Sequence, residues 1–123
     1  MSAGSSEDQG NMGAGMDYSI EPAGDQIRIS VNGDLDAAMV QDMRAAVDEF
    51  VGDSRTLVID LSRVDFIDSA GVGLIVRAYK ARQAAKAAMA IVGASGQPKE
   101  LLRTTQIDRL IPFHASLDEV TRA

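Results

Sequence analysis

The sequence predicts a single α/β domain in which a small mixed β-sheet, opened by an antiparallel N-terminal hairpin, is covered by about four helices. Three observations carry that expectation. Tyr18, Ile20, Ile27, Ile29 and Val31 alternate with polar residues around a Pro22-Ala23-Gly24-Asp25 break, the pattern of a hairpin with one buried face. Thr56-Leu57-Val58-Ile59-Asp60-Leu61 is a nearly unbroken apolar run of strand length, suited to a central strand buried on both faces. Between and after these strands, apolar residues recur at helical spacing.

Taken in order, residues 1–15 place Gly4, Gly10, Gly13 and Gly15 among Ser, Ala, Glu and Asp, with Met1 and Met12 as the only large apolar side chains. A disordered tail is expected there, with the folded domain running over residues 16–123. After the hairpin, Asn32-Gly33-Asp34-Leu35-Asp36 reads as a turn in which Gly33 supplies conformational freedom and Asp36 can cap a helix. Val40, Met43, Val47 and Phe50 form the core stripe of that helix, which ends near Val51-Gly52. Beyond the central strand and Gly71, the residues Val72, Ile75, Val76 and Tyr79 form a second stripe. Met89-Ala90-Ile91-Val92 reads as a short strand and Gly93-Ala94-Ser95-Gly96 as its exit. Pro98 suits the first turn of a helix carrying Leu101 and Leu102. An apolar Leu110-Ile111-Pro112-Phe113 segment and a last helix opening over residues 116–120 close the chain.

Composition narrows the function. With 46% apolar and 24% charged residues the chain fits a globular fold, and its 123 residues fit one domain. Two Tyr, three Phe and no Trp leave no aromatic platform for single-stranded nucleic acid, and a net charge of -6 repels phosphate backbones. A partner with a basic patch is the more natural expectation, and direct nucleic-acid binding is not expected. The absence of cysteine removes disulfides and thiolate metal sites, in keeping with a reducing cytoplasm. No apolar run approaches a bilayer span, so no membrane insertion is expected, and residues 1–10 lack the basic start and apolar middle of an export signal.

The chemistry concentrates in Leu57 to Val76, where a strand ends, a short loop carries Asp65 to Asp68, and Ser69 stands at the mouth of a new helix. Such a serine has three readings. A nucleophile elbow wants Gly two residues on either side, but Ile67 occupies the upstream place and His114 is the only histidine. In the second reading Asp68 or Ser69 merely caps the helix while Gly71 allows backbones to approach. In the third, Ser69 accepts a phosphoryl group, whose roughly -1.5 to -2 charges would lie where helix N-terminal amides favour an anion. Acids such as Asp17, Asp60 and Asp65 have no His or Cys companions at ligand spacing, so neither a metal site nor a cofactor is expected.

The residues Val58-Ile59-Asp60-Leu61-Ser62, Val64, Phe66 and Asp68-Ser69-Ala70-Gly71-Val72-Gly73 resemble the signature of bacterial anti-sigma-factor antagonists, the single-domain STAS family. The resemblance extends to Gly33-Asp34-Leu35-Asp36 and to the element order from about Met16 onward. It implies a cytoplasmic, non-enzymatic switch protein with a STAS-like fold and no catalytic residue. By resemblance, Ser69 is phosphorylated by a partner that is both anti-sigma factor and serine kinase. The unphosphorylated form binds that partner and frees a sigma factor, phosphorylation ends the binding, and a metal-dependent Ser/Thr phosphatase restores it. The expected partner-binding set is Asp34, Asp68, Ser69, Ala70, Gly71, Val72 and Leu74. The alternative within the family is a STAS subunit of a membrane-associated lipid-transport complex whose serine is never phosphorylated.

Two positions depart from the family pattern. Ala70 stands where many relatives carry a second Ser, and Gln106 where a glycine is frequent. Asp36 can contact the kinase or cap its helix. Leu74, Ala78 and Ala81 form either a second, partner-facing strip or a contact with a neighbouring helix. Arg77, Lys80, Arg82 and Lys86 read as a solvated helix face.

Overall fold

The computed structural model describes residues 13–14 and 17–122. Six strands run in the order β1 (Gly13–Ala14), β2 (Tyr18–Ala23), β3 (Gln26–Asn32), β4 (Thr56–Arg63), β5 (Met89–Val92) and β6 (Phe113–His114). The pairs β1–β2 and β2–β3 are antiparallel and the remaining pairs parallel, giving the mixed sheet with its N-terminal hairpin. Four helices accompany it among the described residues: α1 (Ala37–Phe50), α2 (Ser69–Ala84), α3 (Gly96–Thr104) and α4 (Leu117–Arg122). Most of the tail expected over residues 1–15 lies outside the described residues. Gly13 and Ala14 are an exception, because they pair with Ile20 and Ser19 through backbone groups that need no side-chain signal.

The hairpin break is shorter than its sequence suggests. Pro22 stays in β2 opposite Ile27, beyond the reach of β1, where a missing N–H faces no further strand. Gly24 takes the positive φ (59°) that the tight turn requires.

One face of the sheet makes the core. Ile27, Ile29 and Val31 of β3 pack beside Leu57, Ile59 and Leu61 of β4 and Ile91 of β5, under Met43, Val47 and Phe50 of α1 and Ile75 of α2. Each fully buried Ile or Leu here contributes about 1.5 to 3 kcal/mol relative to exposure. In β4, Val58 on the opposite face is equally buried, as the unbroken apolar run requires.

The helical stripes differ in detail from their sequence reading. In α1 the core positions are Met39, Met43, Val47 and Phe50, with Val40 half-buried toward α2; both sets have helical spacing, and the packing of α2 alongside selects between them. In α2 the buried residues are Gly71, Leu74, Ile75, Ala78 and Arg82, while Val72, Val76 and Tyr79 pack half-buried against the core. A helix flanked by both a sheet and a helix needs more than one apolar stripe.

Arg82 overturns its expected place on a solvated face. It is 1% exposed. Its Nη1 donates to the carbonyls of Val51 (3.0 Å) and Asp53 (2.7 Å), its Nε and Nη2 to that of Ala88 (3.1 and 2.7 Å), and Nη2 also to that of Arg55. One guanidinium thus ties the loops that deliver β4 and β5 into the sheet. Its five fixed donors suit a convergence of carbonyls as no other side chain does. Burial pulls its pKa down and the charge of Asp53 opposes that shift. Asp53 is itself held far below the usual carboxylate range, chiefly by hydrogen bonds from the side chain and backbone of Arg55.

Candidate functional site: the Asp68–Ser69 turn

The other end of the parallel strands, where β3, β4 and β5 stop, brings three loops together. β4 gains a residue against β3 at a register shift between Ser30 and Asn32, so that Asn32 pairs with Arg63. Beyond it the chain returns to the sheet through one parallel bridge, Leu35 to Ile67. Leu35 N–H donates to the Phe66 carbonyl (2.9 Å), and Asp68 N–H donates to the Leu35 carbonyl (3.3 Å). The loop holding Asp34 is thereby fixed beside the turn holding Ser69.

The two acids at helix mouths are both caps. Asp36 accepts from Met39 N–H at 3.0 Å and caps α1. Asp68 does more: Oδ1 accepts from Gly71 N–H (3.0 Å) to cap α2, and Oδ2 accepts from Ala37 N–H (3.3 Å) at the start of α1. Each such cap contributes about 0.5 to 2 kcal/mol. Since Asp68 caps α2, Ser69 is left as the first helical residue, exposed, with its hydroxyl unused by any described residue. The N–H groups of Ser69 and Ala70 likewise make no hydrogen bond to a described residue, so the helix mouth offers free donors beside a free hydroxyl.

Gly71 explains why the turn is so tight. A Cβ there would lie 2.6 Å from Ile67 Cγ1 and closer still to the Leu35 carbonyl oxygen, so any other residue would push the α2 mouth off the bridge. Gly71 is buried and acts by packing. Asp34 and Ser69 are exposed, and Asp68, Ala70 and Val72 are half-buried. Leu74 is 6% exposed and Ala78 is buried with it, so this strip serves the packing of α1 and α2, and Ala81 is half-buried. What remains open beside the turn is a shallow groove of about 250 Å³ between α1 and α2, lined by Val40, Leu74, Ala70 and Gly73 with Arg44 and Arg77 at its rim. Arg77 is paired with Asp48 of α1 at 2.8 Å.

His114, the partner a serine hydrolase would need, sits in β6 with Nδ1 3.8 Å from Glu119 Oε1, and no hydrogen bond joins it to Ser69. Among the described residues no group of three His, Cys, Asp or Glu side chains could hold a metal, and no helix is long and apolar enough to cross a membrane.

Two features of the site escaped the sequence reading. Phe66, three residues before Ser69, is 43% exposed despite its apolar ring. Gln97, in the first turn of α3, hydrogen-bonds the backbone of Ile67 with both ends of its carboxamide. The only sequence hint of the second is a polar residue just past the exit of β5, where α3 turns back toward the loop.

The STAS domain family matches residues 20–120. The chain belongs to the STAS family. Among its relatives is the anti-sigma-B factor antagonist of Listeria monocytogenes, 30% identical over 88 residues that cover 71% of this chain and 77% of the relative. The crystal structure of an anti-sigma factor antagonist from Mycobacterium paratuberculosis superposes with a TM-score of 0.76 at 24% identity, covering 85% of this chain and 90% of that one. The Bacillus cell fate determinant SpoIIAA in its phosphorylated form superposes with a TM-score of 0.69 at 19% identity, covering 85% and 96%. At these identities the two structures show a shared STAS fold. Gln106, where the family resemblance implies a glycine, has a left-handed backbone with φ 63°.

Proposed function

We propose that this STAS protein is an anti-sigma-factor antagonist whose unphosphorylated form binds an anti-sigma factor that is also a serine kinase, releasing a sigma factor. Phosphorylation of Ser69 ends the binding, and a metal-dependent Ser/Thr phosphatase resets the protein. The protein acts in the cytoplasm and catalyses nothing itself. The observation that carries the reading is the division of labour at the turn: Asp68 caps α2, so the adjacent hydroxyl of Ser69 is exposed and free to be modified. The names of the Listeria relative and of phosphorylated SpoIIAA support the same reading.

The switch follows from electrostatics. A phosphate on Ser69 Oγ adds roughly -1.5 to -2 charges to a surface that already carries Asp34 and Asp68. The unpaired amides at the start of α2 stabilise that charge, so the fold tolerates it. A partner surface fitted to a neutral hydroxyl meets in its place a charged phosphate that must be desolvated. The domain stays rigid and one interface becomes more strongly negative.

The test uses the wild-type chain, Ser69→Ala and Ser69→Asp in binding to the kinase-type anti-sigma factors of the same genome. Wild type and Ser69→Ala should bind alike, and Ser69→Asp at least about tenfold more weakly, or about 1.4 kcal/mol. Equal binding of all three, or recovery from cells with transporter subunits in place of a kinase, contradicts the reading.

A further inference from the structure

The segment just ahead of Ser69 is hydrogen-bonded on both flanks. On one side Leu35 brackets it through the Phe66 carbonyl and the Asp68 N–H. The groups of Ile67 point the other way: its N–H donates to Gln97 Oε1 at 2.8 Å, and its carbonyl accepts from Gln97 Nε2 at 2.9 Å. A carboxamide places one acceptor beside one donor, as a peptide group does, so Gln97 stands where a neighbouring strand would otherwise be. Only one orientation of its amide satisfies both bonds. The contact joins α3 to a loop 30 residues earlier in the chain, two positions before the serine. The Ile67 side chain is itself 0% exposed, so its backbone has a fixed anchor on the third side.

We propose that Gln97 is a positioning residue for Ser69: its side chain completes a one-residue β-bridge that holds residues 66–68 extended and presents the serine hydroxyl in a single place. This rests on the reading of Ser69 as phosphoacceptor. A preordered loop spares the partner the entropy of fixing it, which raises affinity at the docking step and leaves the phosphoryl-transfer step alone. The chemistry is specific to glutamine. Glutamate keeps the acceptor but turns an oxygen toward the Ile67 carbonyl, and methionine fills the same volume with neither group.

The test combines amide hydrogen exchange on the full chain with phosphorylation kinetics, using the kinase-type anti-sigma factors encoded in the same genome and ATP. In Gln97→Met, which removes the acceptor of the Ile67 N–H, exchange at Ile67 should accelerate on the order of tenfold, while Ile75 and Ala78 inside α2 keep their wild-type rates in both Gln97→Met and Gln97→Glu. The KM for the chain should rise severalfold at unchanged kcat. Wild-type exchange at Ile67 in Gln97→Met, equal acceleration throughout α2, or wild-type KM in both variants overturns the positioning role while wild-type phosphorylation at Ser69 stands. A wild-type chain that none of the kinases phosphorylates at Ser69 overturns the phosphoacceptor reading beneath it.

Discussion

Where β4 and β5 begin, a single buried guanidinium gathers the carbonyls of Val51, Asp53, Arg55 and Ala88, whereas where β3, β4 and β5 stop, half-buried or exposed polar side chains hold the loops and leave a hydroxyl outside. The guanidinium at the centre of the first arrangement is closed to solvent. The second uses Asp68, Asp36 and Gln97 to satisfy the backbone so that Ser69 has no structural duty. The difference teaches how a small domain can keep its structural ties apart from an open hydroxyl: open α/β sheets bind ligands at the carboxyl ends of their strands, and here the amino ends carry the lock.

The largest effect should come from breaking the lock. Arg82→Met leaves several buried carbonyls without a donor, and we expect a loss of about 3 kcal/mol or more in urea unfolding. Unfolding that matches wild type would remove Arg82 from the comparison. At the open end the most sensitive position is Gly71. Gly71→Ala drives a methyl into Ile67 and the Leu35 carbonyl, with an expected loss of about 1 to 3 kcal/mol in the same measurement. Its partner affinity should fall too, because the Ser69 turn shifts with the helix mouth.

Gln106 belongs to neither end and gives the comparison a scale. Its left-handed backbone (φ 63°) is strained for a side-chain-bearing residue, so Gln106→Gly should raise the urea midpoint by a stability gain of up to about 1 kcal/mol, with partner binding unchanged. A drop in stability would show that the glutamine side chain contributes more than its backbone costs.

The smallest effect is a pH dependence at the lock. Arg55 lowers the folded-state pKa of Asp53, so the carboxylate adds stability that is complete above its ordinary value of 3.8 and lost as the pH falls toward the depressed folded value. The stability gap between wild type and Asp53→Asn should be widest at neutral pH and should close in acid. A gap that stays constant down to acid unfolding would assign the role of Asp53 to packing.

Much of this architecture was legible because it rests on periodic or local signals. The alternation around Ile27, Ile29 and Val31, the apolar run from Leu57 to Leu61, and the capping residues Asp36 and Asp68 announce themselves within a few positions. Arg82 and Gln97 did not. Arg82 reads as solvent-facing by residue type, yet it lies seven residues after Ile75 and four after Ala78, on the buried side of α2, so helical register carried a signal that charge concealed. Gln97 grips a backbone 30 residues away, and a side-chain-to-backbone bond at that separation leaves no mark in spacing or composition. The 6% exposure of Leu74 was hidden for the related reason that an apolar strip does not say what covers it.

The claim on which the rest depends is that the free hydroxyl beside the Asp68 cap is the modified group. Mass-spectrometric mapping of the wild-type chain after incubation with the kinase-type anti-sigma factors encoded in the same genome and ATP tests it directly. We expect one phosphate, on Ser69, and none in Ser69→Ala. Phosphate on another residue, or on the Ser69→Ala chain at the wild-type level, would contradict it.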